Sequence, residues 1–146
     1  MASISSYDWI FEVESSTPDL WYTIDEVNEF SYDPSANNEE VDATTFADDG
    51  VYAGRAIQRG ATLQLTGFYS LASGARSTAQ ARIDVLGKAV GTASLGSIRW
   101  RHTSEANWRV WTAYVTLGEV GGGNTDLTGW SATFTKSGAE STESVV

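Results

Sequence analysis

The chain of 146 residues has no cysteine, one histidine, and not one lysine or arginine among its first 54 residues. Without thiols there can be no disulfide and no thiolate metal site, and the redox compartment is left open. The lone His102 leaves no His-x-His or His-x-x-x-His spacing to hold a metal. No apolar run approaches the roughly 20 residues a membrane helix needs. The opening MASISSYDWIFEVESS has neither the basic region nor the apolar stretch of a secretory signal. A net charge of −10 works against tight nucleic-acid binding, which depends on cations neutralising phosphates. Nucleic acid could still pass close by without sticking.

The charge that is present is unevenly spread. Thirteen of the nineteen acids lie in the first 54 residues, which therefore carry −13, while the remaining 92 carry +3. An isolated monomer gains nothing from this split. A protein that packs against copies of itself does, because opposite charges fix orientation and register more than they add affinity. The chain length suits one domain burying roughly 70% of its unfolded surface, and seventeen aromatic residues supply large side chains for a core.

Apolar and polar residues alternate with period two, which predicts half-buried strands. Trp9, Phe11 and Val13 alternate with Asp8, Glu12 and Glu14. Leu63, Leu65 and Tyr69 alternate with Thr62, Gln64 and Thr66, and Trp130, Ala132 and Phe134 with Ser131, Thr133 and Thr135. LWYTID, VNEFSY and GSIRWRH read as shorter strands. NWRVWTAYVTL is apolar on both faces, which predicts cover by core on one side and by a helix or a neighbouring subunit on the other. In STAQARIDVLGKAVG, Ala79, Ile83, Leu86 and Val90 make one helical stripe. Ser77 and Gln80 have capping-box spacing, Gly91 marks the end, and Gly87 suggests close packing on a sheet. The expected fold is therefore mainly β, with one helix over about 77–90. Residues 33–51 are expected to be a long acidic loop, and 137–146, without periodicity, a mobile tail.

The chain offers no catalytic constellation. His102 is expected at the surface. The acid pairs Asp25–Glu26, Glu39–Glu40 and Asp48–Asp49 lack calcium-loop spacing, and adjacent acids on an extended segment point apart. GEVGGGN lacks the order of a phosphate loop, and no G-x-S-x-G elbow occurs. The reading is of a non-enzyme without cofactor or metal. Six tryptophans leave a second reading open, a monomeric β-sandwich that binds carbohydrate through exposed indoles.

EEVDATTFADDGVYAGRAIQRGATLQLTGFYS, residues 39–70, sets an acidic loop with V-D-x-T-T-F and Asp-Asp-Gly before a strand of alternating Thr, Leu and Gln. In this order, with the flanking strands, the helix and the final GWSATFTKSG, the chain resembles the major tail tube proteins of long-tailed bacteriophages over about residues 7–138. The resemblance implies a β-sandwich or partly closed barrel with one flanking helix. It implies hexameric rings stacked into the tail of a virion, assembled in the host cytoplasm. The channel would pass DNA into the host without binding it specifically. A six-copy ring would carry about −60 formal charges, to be paired, screened or turned to the channel. Implied partners are further copies, the tape measure, terminator and tail-tip proteins, and no membrane. Tail terminators and secretion-system tube proteins share the fold. Within this resemblance Glu39, Glu40, Val41, Asp42, Phe46, Asp48 and Asp49 are expected at contacts between subunits or rings. Arg55, Arg59, Arg99 and Arg101 are the expected cationic partners, with Arg76, Arg82 and Arg109 as further candidates. Thr62, Gln64, Thr66, Ser131, Thr133 and Thr135 are the expected channel lining.

Overall fold

The computed structural model describes residues 2–72 and 74–145. The alternating segments form β1 (Trp9–Glu14), β2 (Trp21–Thr23), β3 (Val27–Asp33), β4 (Glu39–Asp42), β5 (Gly54–Gln58) and β6 (Thr62–Phe68). They continue as β7 (Leu71–Ala72), β8 (Ala75–Arg76), β9 (Leu95–His102), β10 (Asn107–Leu117), β11 (Gly129–Lys136) and β12 (Ser141–Ser144), with the helix α1 (Thr78–Lys88). One antiparallel sheet of eight strands runs β2-β1-β9-β10-β11-β6-β3, and β12 pairs with β10. The sheet curls without closing. Its end strand β3 brings Phe30 within 5.2 Å of Phe11 and 5.4 Å of Trp9 on β1, between ring centres. The fold is mainly β, a partly closed barrel with one helix.

Period two sends Phe11, Val13, Leu63, Leu65, Ile98, Trp100, Trp111, Ala113, Trp130, Ala132 and Phe134 into a single core. Each large buried side chain contributes roughly 1.5–3 kcal/mol. The helix adds Ala79, Ile83 and Leu86 to the same core. Gly87 is where the helix presses on β10: a Cβ there would sit 2.5 Å from Leu117 Cγ. The helix lies on the core-facing side of β10, so the opposite face, carrying Thr112, Tyr114 and Thr116, is left exposed. Near the start of β10 the outward Trp108 is covered differently, by the guanidinium groups of Arg99 and Arg101 at 4.4 and 4.9 Å.

Several local expectations are corrected. The helix ends at Lys88, and Val90 lies beyond it, exposed. Ser77 and Gln80 form no capping box. The Ser77 hydroxyl donates to Asp25 Oδ1 at 3.1 Å. Gln80, fully buried, accepts from the Ser70 N–H at 3.0 Å and donates to the Phe68 carbonyl at 2.8 Å. Tertiary demand for a two-sided polar side chain outweighs the local cap, because the buried Ser70 N–H and the partly buried Phe68 carbonyl would otherwise go unpaired. His102 is buried, not superficial. Its Nδ1 accepts from the Ser104 N–H at 3.1 Å, and Nε2 lies 4.0 Å from Asp8 Oδ2.

The two irregular segments also differ from expectation. Within 137–146, of which Val146 lies outside the described residues, Ser141–Ser144 extend β11 past a break and pair with residues 107–110 of β10. Glu140 accepts the Trp111 indole N–H at 2.7 Å and Glu143 pairs with Arg99 at 3.1 Å, which anchors the strand without burying it. The acidic segment 33–51 contains β4, which pairs with β5 in a two-stranded hairpin.

Candidate assembly surfaces

Antiparallel register places the residues opposite one another on a sheet face. On the outward face, Asp33, Thr62, Thr135 and Tyr114 form one row across β3, β6, β11 and β10. The next row is Ser31, Gln64, Thr133 and Thr116, and the third is Glu29, Thr66 and Ser131. All six side chains expected to line a channel therefore share one continuous surface. Thr135 is the most covered of them, buried between its neighbours. No lysine or arginine stands on this face of these four strands. Glu29, Ser31 and Asp33 were not expected there. Their alternation with Phe30 and Tyr32 in VNEFSYD carried the signal. Asp33 accepts from the hydroxyl and N–H of Ser35, which hold its carboxyl below the ordinary aspartate range.

The same outward face has a second, different half. Arg99 lies between the Trp21 and Trp108 rings at 4.3 and 4.4 Å, and binds Glu12 at 2.6 Å and Glu143 at 3.1 Å. Arg101 donates to the carbonyls of His102, Thr103 and Glu105. Arg76 pairs with Asp84 and Arg109 with Glu105, while Arg82 donates to the Glu14 carbonyl. Part of the charge split is thus satisfied within the chain, since β1 brings its acids beside β9. Among the described residues Arg55 and Arg59 are the two arginines without such a partner.

Arg55 lies on β5 of the β4–β5 hairpin, and Arg59 follows β5 at the hairpin's base. No residue between Ile24 and Ala61 is buried. Val41, Phe46, Val51, Tyr52 and Ile57 all stand exposed, Phe46 completely. The hairpin is closed at its base, where the Gln58 amide donates to the Asn37 carbonyl at 2.6 Å and the Gly60 N–H to Asn38 Oδ1 at 2.8 Å. At its tip Asp48 is spoken for: its carboxylate accepts the Thr45 N–H at 2.7 Å, which holds the single turn Phe46–Asp48. Asp49 and Gly50 follow with φ of 52° and 79°, the left-handed pair that reverses the chain. Asp42 accepts from Thr44, whose hydroxyl and N–H lower its pKa. Glu39 and Glu40 stand on β4, exposed. An isolated two-stranded hairpin is marginal in water, and one presenting five exposed apolar side chains resembles half of an interface.

None of the six tryptophans is exposed: Trp9 and Trp21 are half-buried and the other four are buried. The indole platform of a carbohydrate binder is absent from the described residues, so the second reading loses the feature that motivated it.

No protein-family model matches the sequence, and no curated protein does. Among solved structures, the fold is shared with a chain from the tail of an empty gene transfer agent particle, obtained by helical refinement with C6 symmetry. The TM-score is 0.76 with 13% identity, over 97% of this chain and 100% of that one. A chain from the virion of a native gene transfer agent particle matches with a TM-score of 0.67 and 12% identity, again over 97% and 100%. At such identities the likeness is one of fold.

Proposed function

We propose that this chain is a structural subunit of a phage-type tail tube, assembling as six-membered rings that stack around a channel for DNA. The observation that carries the reading is the sheet face of three polar rows, hydroxyl-rich, bordered by Glu29 and Asp33, and free of cations. A wall of that chemistry repels phosphate without offering counter-charges, so a duplex slides past it and is not held. The free-standing hairpin supports the reading in a second way, by presenting apolar side chains that only another molecule can cover. The fold shared with a chain from a tail of C6 symmetry is consistent with six copies per ring. On this reading the hairpin, through Val41 and Phe46 with Glu39, Glu40, Asp42 and Asp49, reaches a neighbouring subunit. Arg55 and Arg59 are the cations it has to offer. Arg99 and Arg101 serve within the subunit. The protein works in the virion, beside the other tail proteins that set tube length and close its ends.

Sedimentation and negative-stain microscopy of the purified protein over rising concentration test this. Rings or hollow tubes are expected. A monomer at every concentration up to about 1 mM contradicts it, because contacts weaker than that contribute less than about 4 kcal/mol.

A further inference from the structure

Where the curled sheet fails to close there is a cavity of about 390 Å³. Its apolar walls are Trp9, Phe11, Ile24 and Phe30, and Glu26, Asn28 and Glu29 border it. Here β3 pairs only with β6, and the early part of β1 has no strand on its outer side, so two sheet ends face each other across a gap. We propose that this cavity is a socket for the tip of the β4–β5 hairpin of a second copy, with Phe46 as the plug. The inference deepens the tail-tube reading and rests on it.

Three observations identify the occupant. Phe46 is fully exposed at the tip of a hairpin that buries nothing, and the cavity offers aromatic walls of matching chemistry, where ring pairs add attraction beyond area burial. Charge agrees as well. The unpartnered Arg55 lies on β5 of the hairpin, whereas the socket is bordered by Glu26 and Glu29, for which no ion pair occurs among the described residues. Polarity supplies the third argument. The cavity sits at the start of β3, around Glu26 to Phe30, while the hairpin leaves from its other end, after Asp33. Seven residues of strand separate those ends by roughly 20 Å. Plug and socket are different surfaces of one chain, so the contact between copies is heterologous and propagates into a ring or an open filament according to whether its rotation closes.

The absence of cysteine makes a direct test available in the full chain. The double variant Ala47→Cys with Asn28→Cys leaves Phe46 in place and sets one thiol on the tip and one at the socket. Mild oxidation of the assembled protein is expected to give a ladder of covalent multimers on a non-reducing gel. The control pair, Ala47→Cys with Val85→Cys on the exposed side of α1, is expected to give none. Separately, Phe46→Ala removes a buried aromatic anchor and is expected to raise the concentration needed for assembly about tenfold or more, while leaving the melting curve of the free subunit unchanged. Tubes that assemble without a ladder, or equal ladders from both pairs, overturn the socket and leave the tube standing. Failure of the unmodified protein to assemble overturns both.

Discussion

Gln80→Glu is a small change with a large expected consequence. A capping box accepts glutamate as readily as glutamine, so a helix cap would be indifferent to it. In the structure, the Gln80 side chain is completely buried and works in both directions, accepting from the Ser70 N–H and donating to the Phe68 carbonyl. Ionised glutamate keeps the first bond and loses the second. It turns a carboxylate oxygen toward the Phe68 oxygen and places a charge at a fully buried position. An orphaned buried carbonyl costs about 1–3 kcal/mol, and a buried charge raises the total to about 3–5 kcal/mol. At about 2–4 °C per kcal/mol for a chain of this size, the midpoint should fall by roughly 6–20 °C in scanning calorimetry at pH 7. The pH dependence has a definite sign. Burial raises the carboxyl pKa in the folded state, so the folded protein takes up the proton first as pH falls. The penalty is full above that raised pKa and disappears as pH drops toward about 4.3, where the unfolded carboxyl also protonates. The protonated acid can again donate to Phe68. The deficit relative to the unmodified protein should therefore shrink on acidification. A melting point within about 2 °C of the original at pH 7, by the same magnitude argument, would refute this account of Gln80.

Other expectations follow from the same geometry. Gly87→Ala places a Cβ against Leu117 and should cost about 1–3 kcal/mol by overpacking, read from denaturant unfolding, despite the better helix propensity of alanine. Arg99→Ala removes the bonds to Glu12 and Glu143, so amide exchange in Ser141–Ser144 should speed up well before the rest of the sheet responds. The carboxyls of Asp33 and Asp42 are held below their ordinary range. Their contribution to the hairpin base and tip should be complete above about pH 4 and fade as pH falls through the lowered values, visible as faster amide exchange over 35–58. The paired change Gln64→Arg with Thr133→Arg, neighbours on the outward face, should leave folding intact and give assembled tubes a DNA affinity in gel shift that the unmodified tubes lack.

Strand periodicity was legible because one face of each strand is buried. Phe11 and Val13, Leu63 and Leu65, and Trp130 to Phe134 all point where alternation sends them. Pairing then sets Thr62, Gln64 and Thr66 on β6 opposite Thr135, Thr133 and Ser131 on β11, a juxtaposition that no single strand could announce. Where a residue's role depends on partners distant in sequence, local pattern misled. Gln80 serves Phe68 and Ser70, not the helix end. Ser141–Ser144 look formless because every side chain is exposed, yet their backbone pairs with β10. The charge split pointed outward to other subunits, and β1 beside β9 answers part of it internally through Glu12 and Arg99. Val41 and Phe46 stand out as apolar residues within the acidic run. Val51, Tyr52 and Ile57 are equally unburied, but Val51 is the last residue of that run and the other two lie beyond it, where nothing in the local pattern separates them from core residues.

The central claim concerns which surface faces the channel. A cryo-EM map of the assembled protein at side-chain resolution tests it most directly. The account predicts sixfold rings with the rows through Gln64, Thr133 and Thr66 on the inner wall and the helix α1 away from it. Tubes whose inner wall is formed by the helix, or by the Trp21–Arg99–Trp108 half of the sheet, would contradict it.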